Sequence, residues 1–369
     1  MKILPIPSPC EEAFLGNINH PELFLWDAWS LDLGDEIRLF SLAVNRNLAD
    51  GSPLYPHLRN QVPFHVRQFK TLDGGISWTD EGAFQTSGHA SDGHDSRNIW
   101  SGSILQVEGQ ILVSYTGVRE LDEQRPFFQS LAVAPADLER GLLTGESRVL
   151  LCPFRDESLI RDAGYFLDQR PRMGHRDGEQ GGPIMAWRDP YLFEGAQPGE
   201  LFMAWAAKGS PTEPVMGLAR MGWHGTGCSI KEVYPPVVLP DSDHFSQFEV
   251  PKIYADPVAG GYILVAATTT RVNEVQSDAE VTKLIRIYRA RNLAGPWQPI
   301  SSLGSHVAGL DHLFGMTVLR FDAEQQKMLC ISPVSETAGS QLGLSFSSCF
   351  ELFLPDATGD GQVRVNWIA

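Results

Sequence analysis

Five segments of the chain share one pattern, in which a polar or aromatic opening is followed by an apolar strand, a turn and a second apolar strand. The segments begin near residues 26, 99, 186, 248 and 313, so 62 to 87 residues separate one start from the next. That spacing leaves room for about four strands and their loops in each unit, which is the size of a propeller blade. The repeats therefore predict an all-β fold, a five-bladed β-propeller, with residues 1–369 as a single domain.

The turn residues support the same fold. A pair containing Gly or Asp separates the two strands of every segment, at 34–35, 108–109, 198–199, 260–261 and 322–323. Thr71–Trp78 also fits the Asp-box pattern S/T-x-D-x-G-x-S/T-W, in which the Asp accepts backbone hydrogen bonds and the Trp fills the blade. Asn292–Trp297 resembles a degenerate copy of this pattern between two outer strands. Both stretches are predicted to be structural.

The charge of the chain narrows the choice of partners. Its formal net charge is −16, and such a surface repels phosphate groups, so we expect neither nucleic acid nor an anionic membrane as a partner. No stretch reaches the ~20 apolar residues that a membrane helix needs. A neutral small molecule such as a sugar is compatible with this charge. The sequence predicts no oligomeric state.

The spacing of the cysteines and the N-terminal residues indicate the cellular compartment in which we expect the protein. The five cysteines form no CxxC pair, which favours reduced thiols over a disulfide framework or a zinc site. The first residues lack the apolar core of a signal peptide. We therefore expect a cytoplasmic protein, with unconventional export as the alternative. Since no GxGxxG, P-loop, GxSxG or HExxH pattern occurs, we expect no cofactor and no metal.

Three carboxylic acids lie near the openings of three segments. Each has an ordinary structural interpretation: Asp27 as a turn cap, Asp189 as half of a surface ion pair, and Glu249 as a strand-edge residue. In a propeller, however, the first strand of every blade lines the central channel, so these positions converge at one mouth. Asp27, Ser101, Asp189 and Glu249 are predicted to occupy equivalent blade positions and to form one polar site.

Four motifs occur in a fixed order between about residues 24 and 335. They are Trp26-Asp27-Ala28-Trp29, Trp100-Ser101-Gly102-Ser103 with Tyr115-Thr116 after it, Arg188-Asp189-Pro190, and Glu249-Val250-Pro251. In order and approximate spacing they resemble the motifs of the levansucrases, inulosucrases and β-fructofuranosidases of glycoside hydrolase family 68. A more distant resemblance links them to the invertases of family 32. The resemblance implies a five-bladed propeller enzyme that acts on sucrose or another fructoside.

The resemblance also implies a role for each acid. Asp27 matches the nucleophile that attacks the anomeric carbon of fructose, and Glu249 matches the general acid and base. Asp189 matches the residue that stabilises the transition state. Positions that shape the sugar pocket are matched by Trp26, Trp100, Ser101, Arg188, Gln247 and Arg271, the last of which corresponds to an arginine facing the leaving glucose.

The chain departs from the family pattern in places. Gln247 stands where the family commonly has an acid, which changes the contacts expected with the leaving sugar. Ser246 stands where calcium-binding members have an Asp, so no calcium site is carried over. The chain is short for the group and no export signal is visible. These features favour hydrolysis of sucrose or short fructosides over polymer synthesis.

Two other functions remain open at this point. One is an inverting furanosidase of the arabinoside type, whose carboxyl groups would lie about 6.5–9.5 Å apart, whereas a retaining pair lies about 5–5.5 Å apart. The other is a sugar-binding propeller without catalysis. In any of these proteins, the Gly- and Arg-rich segment 170–182 is predicted to cover the channel mouth as a lid.

Overall fold

The computed structural model describes residues 4–225, 227–334, 344–356 and 361–368. It contains five small antiparallel sheets arranged as a five-bladed β-propeller, which confirms the predicted fold. Four strands build each blade from the centre outward, and blades 1 and 2 each contain one additional two-residue strand. The innermost strands begin at residues 23, 98, 188, 247 and 317, close to the starts of the five sequence repeats.

The strands of blade 1 are β1 (Phe14–Leu15), β2 (Leu23–Asp32), β3 (Ile37–Asn45), β4 (His65–Thr71) and β5 (Ser77–Thr86). Those of blade 2 are β6 (Asn98–Val107), β7 (Gln110–Arg119), β8 (Phe128–Asp137), β9 (Leu142–Leu143) and β10 (Arg148–Leu151). Those of blade 3 are β11 (Arg188–Glu194), β12 (Leu201–Lys208), β13 (Pro214–Trp223) and β14 (Cys228–Val233).

The strands of blade 4 are β15 (Gln247–Ala255), β16 (Tyr262–Thr269), β17 (Lys283–Ala290) and β18 (Gln298–Pro299). Those of blade 5 are β19 (Thr317–Asp322), β20 (Lys327–Ile331), β21 (Phe350–Phe353) and β22 (Arg364–Trp367). The one α-helix among the described residues is α1 (Glu157–Asp162), and short 3₁₀ helices span Pro56–Gln61, Arg170–Arg172, Asp177–Gln180, Ser242–His244 and Asp278–Glu280. No helix in this part of the chain has the length and apolar character needed to cross a membrane.

Burial along the strands explains their sequence patterns. Every residue of β3, β12 and β16 is buried, because the second strand of a blade is covered on both faces by the neighbouring blades. These strands accordingly read as continuous apolar runs. The outer strand β5 instead alternates buried and exposed positions, as expected where one face meets water.

The ring closes where blade 5 meets blade 1. Thr317 Oγ1 donates a hydrogen bond to the Ala28 carbonyl at 2.6 Å, and Ser30 Oγ donates to the Val318 carbonyl at 2.8 Å. These bonds join β19, the innermost strand of blade 5, to β2, the innermost strand of blade 1. They bring the chain ends of the propeller together and fix the strand that carries Asp27.

Loop 88–95 differs from the exposed, flexible rim that its Gly and Asp content suggests. His94 and Asp95 are buried, and His94 Nε2 lies 3.1 Å from Tyr115 Oη. Tyr115 Oη also contacts Ser147 Oγ at 2.6 Å. The end of the loop, at His94 and Asp95, is therefore a packed support for blade 2, whereas His89, Ser91 and Asp92 are exposed.

The Asp-box forms the turn between β4 and β5. The Asp73 carboxylate accepts hydrogen bonds from Ser77 N at 2.9 Å, from Ser77 Oγ at 2.6 Å and from Thr71 Oγ1 at 2.8 Å. Gly75 has a φ of +93°, and Trp78 is fully buried. The predicted structural role is confirmed, because all of these contacts hold the hairpin together.

Asp73→Ala should lower the free energy of unfolding by roughly 1–2 kcal/mol, because it leaves the Ser77 amide and two hydroxyls without their acceptor. Urea denaturation would measure the loss. Asp50→Ala is a matched control, since Asp50 accepts equivalent local bonds from Ser52 in an exposed loop. Equal losses in the two variants would contradict a special role for the Asp-box.

Candidate active site

A β-bulge lies near the start of each innermost strand that carries a predicted site residue. Asp27 is the extra residue in β2, and Ser101 is the extra residue in β6. In β11 the register shifts directly after Arg188, and in β15 it shifts directly after Glu249. Bulges redirect side chains away from the regular pleat. A β-bulge in each of four blades therefore directs residues toward the same region of the channel.

The backbone at these bulges is strained. Asp27 has a φ of 39°, Asp189 of 62° and Val250 of 43°, in the left-handed region that costs non-glycine residues about 1–2 kcal/mol. Asp27 and Asp189 are thus equivalent, as predicted. Glu249 lies one residue before the strained position of its own blade, so the predicted equivalence does not extend to it.

The acids line one cavity of about 600 Å³. Its walls include eight of the nine predicted site residues, namely Trp26, Asp27, Trp100, Ser101, Arg188, Asp189, Glu249 and Arg271. Three carboxyl groups from blades 1, 3 and 4 therefore face a shared space. Two tryptophans from blades 1 and 2 offer apolar ring surface beside them, which suits the C–H faces of a sugar.

A chain of hydrogen bonds connects the acids across four blades. Ser101 Oγ donates to Asp27 Oδ2 at 2.6 Å, and Thr116 Oγ1 donates to the Ser101 carbonyl at 3.2 Å. The Asp189 amide donates to Thr116 Oγ1 at 2.8 Å, and Asp189 Oδ2 accepts from the Val250 amide at 3.1 Å. Asp27 and Asp189 are consequently each fixed by a group from a neighbouring blade. This arrangement preorganises the site before any ligand enters.

Arg188 is the cation between two of the acids. Its Nη2 lies 3.4 Å from Glu249 Oε1, and its Nε lies 3.7 Å from Asp189 Oδ2. Arg188 Nη1 donates to the Met185 carbonyl at 3.0 Å, which fixes the guanidinium. One guanidinium offsets part of the charge of three carboxyl groups, so a proton shared among them is favoured.

Burial shifts the proton affinities of two acids upward. It raises the pKa of Asp189 to about 7, against the opposing effect of Arg188, and the charges of Asp27 and Glu249 add to the increase. Burial also raises the pKa of Glu249, again opposed by Arg188 and assisted by Asp27. A carboxylic acid that holds its proton near neutral pH is what a general acid requires.

Asp189→Asn should stabilise the fold increasingly as pH rises from about 4 to about 7. The folded-state pKa of Asp189 lies above its unfolded value of about 3.9, so folding keeps a proton that the unfolded chain releases. The wild type therefore loses up to about 1.4 kcal/mol per pH unit in this window, and the variant does not. Urea denaturation at pH 4, 5, 6 and 7 would measure the difference.

Asp73→Asn serves as the control for this experiment. Burial raises the pKa of Asp73, but its hydrogen bonds with Ser77 and Thr71 together outweigh this effect and hold the pKa at about 2. It should show no growing advantage above pH 4. An Asp189→Asn difference that stays constant from pH 4 to pH 7 would contradict the raised pKa of Asp189.

Gln247 is the one predicted site residue that the cavity does not expose. It is 2% exposed, and its Nε2 lies 3.5 Å from the Ile184 carbonyl. Pro183, Ile184 and Met185 line the cavity instead. The assignment of Gln247 to sugar binding is therefore corrected: the segment before β11 packs over its side chain and forms the wall in its place.

Arg271 lines the cavity, but much of its guanidinium is used by its own loop. Nη1 donates to the Gln276 carbonyl at 2.9 Å, and Nη2 pairs with Asp278. These bonds hold loop 271–278 in shape at the cavity rim. Arg271 can therefore bind a ligand only through N–H groups that are not already bonded to Gln276 and Asp278.

Segment 170–182 forms a wall of the cavity, as expected for a cover of the channel mouth. It is attached on both sides by backbone hydrogen bonds. The Phe127 amide donates to the Gly174 carbonyl at 2.9 Å, and the Glu274 amide donates to the Gly178 carbonyl at 2.8 Å. The segment thus bridges loops of blades 2 and 4.

Sequence reasoning missed two buried lysines near the acids. Lys208 ends β12 and lines the cavity, and Lys252 lies on β15 three residues after Glu249; both are 2% exposed. Burial lowers the pKa of Lys208 to about 7 and that of Lys252 to about 8. The sequence contained a signal for these two residues: each lysine lies within an apolar strand, and a buried ammonium group requires hydrogen-bond partners.

Cys10, His20 and Asp80 form the one potential metal-binding group among the described residues. Two donors of Arg67 bind the Asp80 carboxylate, at 2.7 and 2.6 Å. His20 Nδ1 accepts two backbone amides, so Nε2 carries the proton and points at Asp80, 3.3 Å away. His20 Nε2 also lies 3.4 Å from Cys10 Sγ, so all three potential ligands already contact one another or Arg67. The cluster therefore anchors the N-terminal segment rather than offering an open ligand set.

Comparison with solved structures bears on the fold. The inulosucrase from Halalkalicoccus jeotgali bound to kestose matches with a TM-score of 0.65 and 19% identity, covering 99% of this chain and 91% of that one. Bacillus subtilis levansucrase matches with a TM-score of 0.64 and 16% identity, covering 95% and 89%. The chain has the levansucrase fold. A levansucrase variant complexed with sucrose also shares this fold, with a TM-score of 0.61 and 15% identity, covering 93% and 86%.

The match to the levansucrase fold extends over the whole propeller. The alignment spans nearly the whole chain, so all five blades of the propeller take part in the match. No protein-family model and no curated protein matches the sequence. The activity must therefore be argued from the side chains in the cavity, because a likeness at this level of identity establishes the fold alone.

Proposed function

We propose that the chain is a retaining β-fructosidase or fructosyltransferase that acts on sucrose or short β-fructosides, with hydrolysis favoured. The observation that carries the proposal is the meeting of Asp27, Asp189, Glu249 and Arg188 at one cavity of a levansucrase fold. Among the similar structures, one is bound to kestose and another to sucrose. A neutral fructoside also suits a chain with a net charge of −16.

In the first step Asp27 attacks the anomeric carbon of the fructosyl unit. Ser101 binds Oδ2 of Asp27, so we assign the attack to Oδ1. Glu249 transfers its proton to the glycosidic oxygen as the bond to glucose breaks, and glucose leaves neutral. The raised pKa of Glu249 favours the protonated form that this step uses. The product of this step is a fructosyl ester of Asp27.

In the second step the Glu249 carboxylate takes a proton from water, and the water oxygen attacks the anomeric carbon. The bond to Asp27 breaks, fructose leaves, and both carboxyl groups return to their starting states. A sugar hydroxyl in place of water gives transfer instead of hydrolysis. Asp189 lines the cavity beside Asp27 and Glu249. In its ionised form, which its pKa of about 7 leaves partly populated at neutral pH, its carboxylate stabilises the positive charge that develops on the ring.

The preference for short substrates rests on the shape of the cavity. Segment 170–182 crosses between blades 2 and 4 and is held there by backbone bonds from Phe127 and Glu274. A growing polymer would have to pass this wall, whereas a disaccharide would not. We therefore propose that water competes well with long acceptors in the second step.

The test is incubation of the purified protein with sucrose, followed by separate measurement of free glucose and free fructose. We expect both sugars, in nearly equal amounts. A large excess of glucose would show that transfer dominates and would overturn the preference for hydrolysis. Release of neither sugar from sucrose or from short β-fructosides would overturn the proposed function.

A further inference from the structure

Lys208 places a buried amino group, whose pKa burial lowers to about 7, at the junction of blades 3 and 4. It ends β12, its side chain is 2% exposed, and its Nζ donates to the Ser246 carbonyl at 2.7 Å. Burying an ammonium group is costly unless its hydrogen bonds are satisfied. The presence of a lysine at this buried position therefore indicates a structural or functional role.

Ser246 links this lysine to two elements of the cavity wall. It precedes β15, and its amide donates to the Thr269 carbonyl at 3.0 Å. Its hydroxyl donates to the Arg271 carbonyl at 2.7 Å. A single residue thus connects Lys208 with the start of the strand that carries Glu249 and with the loop that begins at Arg271. Displacing Ser246 would shift both.

The ammonium group also acts electrostatically on the acid site. Lys208 lines the cavity together with Arg188 and Glu249. The charge of Glu249 favours the protonated lysine, and the charge of Arg188 disfavours it. The position of Lys208 thus couples its charge to the residue that must deliver a proton.

We propose that Lys208 is a positioning residue that holds Glu249 in place for proton transfer, through its bond to the Ser246 carbonyl. This inference rests on the proposed function, since it assigns Lys208 a part in the proton donation to the leaving sugar. Glu249 follows Ser246 by three residues, so a change at Ser246 moves the start of β15 and the carboxyl group that it presents. Displacements of about 1 Å can cost 10²-fold in rate.

The experiment compares the first turnover of Lys208→Met with that of the wild type on two substrates. Glucose release from sucrose needs the proton of Glu249, whereas fluoride release from fructosyl fluoride does not, because fluoride is a good leaving group. We expect the variant to lose about 10- to 100-fold on sucrose and at most about threefold on the fluoride. Equal losses on both substrates, or no loss, would overturn the proposal.

Two further variants make the result specific. Arg286→Met removes another buried cation of blade 4, which bonds Ser305 and Thr268 away from the cavity. It should reduce stability without a selective loss on sucrose, and a selective loss there would overturn the proposal. Lys208→Gln is the milder change if Lys208→Met does not fold, and the same selective loss is expected. A wild type inactive on both substrates would refute the proposed function itself.

Discussion

Replacing Asp27 with asparagine should lower kcat for glucose release from sucrose by about 10⁴-fold or more. The amide cannot form the ester with the anomeric carbon, and the rest of the cavity cannot substitute for it. Asparagine has nearly the shape of aspartate and can still accept the hydrogen bond from Ser101. The fold should therefore stay intact while the chemistry stops. Initial rates with sucrose and a urea titration of the same preparation measure the two effects separately.

Asp32→Asn is the matched control for this variant. Asp32 lies on the same strand, β2, and pairs with Arg320 at the exposed end of the blade. Exposed ion pairs contribute roughly 0–1 kcal/mol, so activity should stay within about twofold of the wild type. Activity of Asp27→Asn near that of Asp32→Asn would remove Asp27 from the role of nucleophile.

Glu249→Gln should have the second largest effect, a loss of about 10³-fold or more in the first turnover with sucrose. Glutamine cannot donate the proton that the leaving glucose needs. The same variant should still release about one equivalent of fluoride per site from fructosyl fluoride, because that step needs no acid. Turnover should then stall, since glutamine cannot activate water either. Rapid-quench measurement of glucose and fluoride would show both effects.

The pH dependence of this reaction provides an internal check. With the wild type, kcat/KM on sucrose should fall on the alkaline side as Glu249 loses its proton, at a pH above the ordinary range of a glutamic acid. Residual activity of Glu249→Gln should lack that decline. A burst of glucose from sucrose in Glu249→Gln, as fast as in the wild type, would contradict the role of Glu249 as the acid.

The fold was predictable because its information is repeated. Five units of similar length each needed a hairpin, and Gly- or Asp-containing turns marked where each hairpin reverses, as between β6 and β7 at Glu108 and Gly109. The strands β12 and β16 could be recognised as apolar runs, because every one of their residues is buried. Because the pattern occurs five times, an ambiguous segment in one unit can be interpreted from the corresponding segments of the other four.

The site was predictable only in part. Motif matches selected Asp27, Asp189 and Glu249, which line one cavity. The offset of Glu249 was not predicted, although the proline shared by Arg188-Asp189-Pro190 and Glu249-Val250-Pro251 already aligns Val250 with Asp189. Gln247 was misjudged because the segment that covers it is remote in sequence and joins it only in the folded chain. Lys208 was missed for a similar reason, since its partner Ser246 belongs to another blade.

The most direct measurement on the central claim is mass spectrometry of Glu249→Gln after brief reaction with fructosyl fluoride and acid quenching. Without its base the variant should accumulate the fructosyl ester, so peptide mapping should find one hexosyl unit on the peptide that contains Asp27. A hexosyl unit on Asp189, or fluoride release with no labelled peptide, would contradict the account.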